Sequence, residues 1–255
     1  MSPGRSPDLV LALELADTAD VITMSRFRAI DLRIETKPDL TPVTEADRAV
    51  EEELRRLLAE HRPGQRIVGE ELGDSGEGDG PRWIVDPIDA TKNYLRGIPI
   101  FATLIALEDR VAVVSAPALG RRWWAERGRG SFSEGRKLQV SQVARVEDAV
   151  LTYTSLKGWD ERFLALATRS WAPRGFGDFW QYMLLAEGAV DVCVESAANL
   201  WDLAAPKLIV EEAGGRLTDL AGQARADGGN ALASNGLLHA EVLAALTSYF
   251  PRIKG

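Results

Sequence analysis

Residues 83–93 read WIVDPIDATKN, an apolar strand that runs straight into two aspartates three residues apart with a proline between them. A solvated turn accounts for one Asp, but not for two set beside Pro87, Thr91 and a helix start. Pro87 fixes φ and suits the first position of a helical turn, so the backbone is expected to leave the strand sharply while Asp86 and Asp89 project toward a common point. The N–H groups of Ala90 and Thr91 then offer an anion site, and adjacent carboxylates repel an anion unless metal ions intervene. The stretch implies metal plus phosphate.

Two further acidic elements end apolar segments: Glu70 and Glu71 in IVGEE (67–71), and Asp202 in LWDLAA. Oxygen ligands without nearby His or Cys suit Mg²⁺ rather than Zn²⁺. Two such ions about 3.5–4 Å apart clamp the attacking and leaving oxygens of an in-line phosphoryl transfer. Each acid also has a plainer reading. Asp86 and Asp202 suit helix caps, Glu70 and Glu71 a solvated loop edge, and Asp47, three residues after Thr44, a capping box. Those readings leave unexplained why three acidic elements each end an apolar segment.

Composition sets the frame. A chain of 255 residues, 45% hydrophobic, buries a substantial core as one large domain or two closely packed halves. The expectation is a single domain over 1–255, with a half to about 140 carrying most acidic candidates and a half from about 141 carrying Asp202. The net charge of -8 argues against nucleic-acid binding as the main activity. Cys193 is the only cysteine, so no intrachain disulfide forms, and its apolar run AVDVCVES reads as a buried thiol. Only His61 and His239 are available, which disfavours a His-based triad or a His-rich zinc site. The start MSPGRSPD lacks an apolar signal core, and no apolar run approaches the ~18 residues of a membrane span. A cytoplasmic protein without membrane partners is expected.

Helical periodicity predicts helices over 8–28 and from about Thr44 to Pro63-Gly64. GDSGEGDG (73–80) reads as a flexible loop. FATLIAL and RVAVVSAPAL form an antiparallel hairpin across EDR, which RRWWAERGRGSF continues. The second half gives a strand AVLTYTS, a helix near DFWQYMLLAEGA, a strand AVDVCVES, a helix from WDLAAPKLIVEEAGG, and a last helix over LLHAEVLAALTSYF. The class is layered α/β or α+β, and periodicity does not choose between them.

The motifs GEE, DPIDAT and WDLAA, together with KPDLTPVTEAD and VESAANLWDLAA followed by EEAGG, resemble the inositol monophosphatase family of Mg²⁺-dependent, lithium-sensitive phosphatases over nearly the whole chain. The resemblance implies an α-β-α-β-α sandwich assembled as a homodimer. It implies a first metal on Glu70, Asp86 and the Ile88 carbonyl, a second on Asp86, Asp89 and Asp202, and Glu71 for a weaker third Mg²⁺. Thr91, hydrogen-bonded to Asp47, would position and activate a water with Glu70 close by, and no phosphoenzyme forms. Ala90 stands where the family has Gly or Ser; an αR-like φ accommodates its Cβ, a positive φ does not. Pro206 stands where the family has a small residue and removes a helical N–H.

KPDLTPVTEADRAVE, APALGRRWWAERGRG, the GDF of FGDFWQYMLLAEGAVD and NGLLH are similar to the histidinol-phosphate-hydrolysing branch of the family, which implies L-histidinol phosphate as substrate. Inositol monophosphates, or a broader set of sugar phosphates, are the alternative. Ala90, Thr91, Asp178, Glu195 and Asn199, with Trp201, are the candidate substrate contacts. Asp178 either answers a cationic leaving group or caps the helix it precedes. An aspartyl-nucleophile phosphatase needs DxDxT, with one residue between its aspartates, whereas two residues separate Asp86 from Asp89. A metal-dependent binding protein without turnover is the alternative outside catalysis, and the presence of both Thr91 and Asp47 weighs against it.

Overall fold

The computed structural model describes residues 5–37, 41–76 and 80–247. Parts of three segments read from the sequence lie outside them: 38–40 of the KPDLTPVTEAD motif, 77–79 of GDSGEGDG and 248–250 of the last helix. The helices among the described residues are α1 (Pro7–Arg26), α2 (Glu45–His61), α3 (Thr91–Leu95), α4 (Glu161–Arg169), α5 (Asp178–Ala186), α6 (Leu200–Glu212) and α7 (His239–Thr247).

An eight-stranded sheet runs in the order Arg136–Lys137, Gly130–Ser133, Arg121–Glu126, Val111–Ala116, Ala102–Leu107, Trp83–Asp89, Ile67–Gly69, Gly73–Ser75. Its neighbours are antiparallel except Ile67–Gly69 and Trp83–Asp89, which run parallel. The second sheet has five strands, Ala172–Arg174, Val150–Tyr153, Val192–Glu195, Ala231–Ser234 and Arg216–Thr218. Its first three are parallel and its last two antiparallel to their neighbours.

Three apolar cores stack these parts into five layers. Leu9, Leu15, Val50 and Leu54 of α1 and α2 pack on Trp83, Val85 and Ile105 of the large sheet. The opposite face, through Ile84, Leu104 and Val114, meets Met183, Leu203 and Ile209 of α5 and α6, and these meet Cys193 and Ala233 of the small sheet. Phe163, Leu166 and Val242 of α4 and α7 cover the outer face of that sheet. The order is α-β-α-β-α, as the resemblance implies.

Several elements differ from the sequence reading. Strand Trp83–Asp89 continues through the whole Asp-Pro-Ile-Asp segment, all seven residues buried, so Pro87 sits inside a strand and not at a helix start. The pairing register with Ala102–Leu107 shifts between Asp86 and Asp89. That irregularity accommodates a residue with no N–H, and the Pro87 carbonyl accepts the Thr103 hydroxyl at 2.8 Å. Part of the expected loop, Gly73–Ser75, pairs with Ile67–Gly69. Gly69 has no room for a side chain, because a Cβ there would lie 2.0 Å from Glu51 Oε1. The buried Glu51 carboxylate accepts the N–H groups of Glu71 (2.7 Å) and Leu72 (3.1 Å) and so fixes the turn that carries Glu70. Pro206 does not interrupt α6; the intrahelical bond it removes is the one to the Asp202 carbonyl.

Candidate active site

The large-sheet strand Trp83–Asp89, the starts of α3, α5 and α6, and the end of strand Val192–Glu195 converge on a cavity of about 390 Å³. Glu70, Asp86, Ile88, Asp89, Ala90, Thr91, Asp178, Glu195 and Asp202 all line it, which gathers most of the acids singled out in the sequence. One carboxylate oxygen from each of Asp86, Asp89 and Asp202 lies within 4.8 Å of the others, and among the described residues this triad is the acidic cluster able to hold a metal ion.

The electrostatics follow from crowding like charges away from water. Burial, then the charges of Glu70, Asp89 and Asp202, raise the Asp86 carboxyl well above the ordinary range, and its Oδ1 is buried without a hydrogen-bond partner. Asp89 is raised by burial and by Asp178 and Asp202, although its Oδ2 accepts the Phe179 N–H at 2.6 Å. Burial also pushes Asp202 up to about 7, opposed by the Asn199 N–H, which donates to Asp202 Oδ2 at 2.6 Å. Two buried carboxylates and a half-buried one crowded this closely are costly unless a cation lies between them.

Glu70 and Glu71 are held differently from the triad. The Lys37 ammonium bonds Glu70 at 2.8 Å and Glu71 at 2.5 Å, so a side chain from the Ile34–Thr36, Pro42–Thr44 hairpin compensates both. Glu71 does not line the main cavity. Burial and the neighbouring Glu70 push its carboxyl up to about 7 against the pull of Lys37.

The expected Thr91–Asp47 bond requires correction, and the alternatives left open for Asp47 and Ala90 are decided. Thr91 Oγ1 donates to the Ile88 carbonyl at 3.0 Å, so its single O–H proton is not given to Asp47. Asp47 instead completes a capping box for α2: its Oδ2 accepts the Thr44 N–H at 2.8 Å and the Thr44 hydroxyl at 2.5 Å. Burial pushes Asp47 up to about 6, and it does not line the cavity. Ala90, at φ 66 and ψ 44, occupies the left-handed region that its Cβ disfavours, not the αR-like φ that would suit it.

Among the candidate substrate contacts, Asp178 does not cap α5 with its side chain. It stands at φ 48 after Gly177, and its N–H donates to Thr154 Oγ1 at 3.0 Å. A Cβ on Gly177 would lie 2.8 Å from the Thr154 Cα, so only glycine allows this close passage. Glu195 Oε1 accepts from Thr154 Oγ1 at 2.7 Å and from Gln181 Nε2 at 2.6 Å, and burial pushes its carboxyl up to about 8. Asn199 and Trp201 do not line the cavity; Asn199 is the N-cap of α6. The sequence reading missed Lys37, Lys92, Thr154 and Gln181. Lys92 had the signal of a cation directly after Thr91; Lys37 and Gln181 stood inside the quoted KPDLTPVTEAD and FGDFWQYMLLAEGAVD, and these two and Thr154 reach the site only through tertiary folding.

Residues 5–250 match the sequence profile of the Inositol monophosphatase family. The chain belongs to that family and is a phosphoric monoester hydrolase. It is 55% identical over 255 residues to the histidinol-phosphatase of Mycobacterium tuberculosis, covering 94% of this chain and 98% of that one. It is 50% identical over 266 residues to the histidinol-phosphatase of Streptomyces coelicolor, covering 97% and 100%. The fold matches the crystal structure of the extragenic suppressor protein suhB from Bartonella henselae with a TM-score of 0.88 at 29% identity, covering 96% of this chain and all of that one. No helix among the described residues is long and apolar enough to cross a membrane.

Proposed function

We propose that the chain is a Mg²⁺-dependent L-histidinol-phosphate phosphatase that works by direct attack of water, without a phosphoenzyme. The observation that carries the reading is the pairing, in one cavity, of the Asp86–Asp89–Asp202 triad with a second carboxylate pair, Asp178 and Glu195. Histidinol phosphate has a dianionic end and, at the other, an ammonium and an imidazole that protonates. A cavity that combines metal-binding acids with two further acids, Asp178 and Glu195, matches both. The high identity to two histidinol-phosphatases supports the same reading.

The donor set fits a hard divalent ion. It is all oxygen, closely gathered, and includes a buried Asp86 oxygen that lacks any partner. Asp86, Asp89 and Asp202 would hold the metal, with Glu70 and the Ile88 carbonyl as further ligands and Glu71 near a third ion. When bound, Mg²⁺ supplies neutralisation of the phosphate charge and acidifies a water. The chain's own residues do the rest. The Ala90–Thr91 turn receives the phosphate. Thr91, its proton committed to the Ile88 carbonyl, has lone pairs left to accept from a water and orient it, and Glu70 lines the same cavity as the proton acceptor. Asp178 and Glu195 receive the cationic leaving group. The proposal includes a homodimer, supported by Trp171 and Phe176, which stand 71% and 42% exposed beside the edge strand Ala172–Arg174.

The test is phosphate release with Mg²⁺ from histidinol phosphate, inositol 1-phosphate, fructose 1,6-bisphosphate and adenosine bisphosphate, repeated with Asp178→Ala. Histidinol phosphate should be preferred, and the variant should raise its KM roughly ten- to a hundredfold, more than for a neutral ester. Wild-type preference for inositol 1-phosphate would overturn the substrate assignment.

A further inference from the structure

Helix α5 turns an otherwise apolar face inward, with Phe179, Tyr182, Met183, Leu185 and Ala186 all buried. Gln181 lies among them at 0% exposure. A buried primary amide is costly unless it is bonded, and a leucine or methionine would fill this position without that cost. The amide does not optimise packing even as it stands, since its Oε1 is buried with no partner. Its Nε2 makes a 2.6 Å hydrogen bond to Glu195 Oε1.

The same Glu195 oxygen accepts the Thr154 hydroxyl at 2.7 Å, and Thr154 Oγ1 in turn accepts the Asp178 N–H at 3.0 Å. Both donors therefore converge on one oxygen of the carboxylate. A carboxylate gripped on one oxygen by donors from two different segments cannot rotate freely, and its second oxygen remains available to the cavity that Glu195 lines. Thr154, tied to Asp178 through that residue's backbone, also sets the spacing of the two acids.

We propose that Gln181, together with Thr154, is a positioning residue that orients Glu195 toward the cationic part of the substrate, so that substrate selection depends on a side chain wholly inside the core. The inference rests on the reading of Asp178 and Glu195 given above and extends it to the residues that aim them. Neither Gln181 nor Thr154 needs to touch the reacting phosphate.

A double-mutant cycle on the Mg²⁺-loaded enzyme tests it, with Gln181→Met, Glu195→Ala and the two combined, each assayed on histidinol phosphate and on inositol 1-phosphate. Gln181→Met should raise KM for histidinol phosphate ~10-fold with a much smaller change in kcat, as expected for a lost hydrogen bond to a charged group. In the Glu195→Ala background the same substitution should change KM less than twofold, because the 2.6 Å bond to Glu195 is the main link of Gln181 to the site and its contact with Thr154 Oγ1 is long, at 3.4 Å. A Gln181→Met effect of equal size with and without Glu195, or one that falls on kcat, would overturn the proposal. If Gln181→Met does not fold, Thr154→Val is read in the same cycle: its effect on KM should shrink without vanishing in the Glu195→Ala background, because Thr154 also accepts the Asp178 N–H, and an undiminished effect would overturn the proposal. Preference of the wild type for inositol 1-phosphate would remove the substrate reading alone; the coupling between positions 181 and 195, measured on the preferred ester, still decides the positioning role.

Discussion

Replacing Asp86 by Asn should make the metal-free protein more stable while abolishing its Mg²⁺-dependent catalysis. Asp86 is 1% exposed, its Oδ1 lacks a partner, and its carboxyl is raised by burial and by Glu70, Asp89 and Asp202. Two unit charges 4.8 Å apart, the span of the triad, repel by about 3.5 kcal/mol at an effective dielectric of 20. The neighbouring Asp202 gives a second scale: a carboxyl that titrates at about 7 instead of 3.8 costs about 4 kcal/mol of folding stability at neutral pH. The sign is that of a raised acid, with no penalty below pH 4 and a growing one as pH climbs toward 7. An amide at position 86 removes one charge and donates to the carboxylates around it. A gain of about 3 kcal/mol in EDTA at pH 7.5 corresponds to a Tm rise of roughly 6–12 °C for a chain of this size. Differential scanning fluorimetry with EDTA and with Mg²⁺ reads both halves of the prediction: Mg²⁺ should raise the wild-type Tm and leave the variant nearly unmoved. A variant less stable than wild type in EDTA, or one with the full Mg²⁺ response, would refute the argument that the triad is a strained cation site.

His239, buried between Thr218 Oγ1 and Ser234 Oγ at 3.0 Å each, has its pKa lowered by burial to about 4. The stability of a neutral buried histidine is present above pH 6.5 and lost as pH falls toward 4, so the advantage of wild type over His239→Gln should shrink by about 3 kcal/mol across that window in urea titrations; a constant difference would show that the ring does not resist protonation. Gly69→Ala drives a Cβ to within 2.0 Å of a Glu51 oxygen already held by two backbone donors, and urea denaturation should show a loss of about 3 kcal/mol, with an unchanged midpoint counting against the packing argument. Thr91→Val should lower kcat by ~10²-fold at a stability cost of about 1 kcal/mol from the bond to the Ile88 carbonyl, and an unchanged kcat would leave that bond as the hydroxyl's whole role.

The sequence by itself determined the parts that depend on near neighbours. The apolar spacing of Leu9 to Ile22 and of Ala46 to Leu57 predicts α1 and α2, Thr44 is the N-cap expected of it, and FATLIAL with RVAVVSA makes the hairpin. The pairing of Asp86 with Asp89, and the presence of further acids at the ends of apolar runs, was legible because each lies at the edge of a segment whose burial fixes where it ends. Element boundaries inside WIVDPIDATKN were not. Whether the chain leaves the sheet at Pro87 or at Ala90 depends on whether strand Ala102–Leu107 tolerates a register shift, which is a property of the partner strand.

Only the tertiary structure decided which acids share a cation and which are already partnered. Lys37 reaches Glu70 and Glu71 across 33 and 34 positions of chain, Phe179 N–H reaches Asp89 across 90, and Gln181 meets Glu195 because α5 folds back on strand Val192–Glu195. A carboxylate has the same local sequence signal whether it ends beside an ammonium, a helix N-terminus or another carboxylate. The difference is made by side chains distant in sequence, through Coulomb forces and desolvation that act only once the layers have closed. Ala90 shows the same limit in the backbone. Its residue type argues for negative φ, yet it stands at φ 66 in the one-residue connection between the buried strand Trp83–Asp89 and the start of α3.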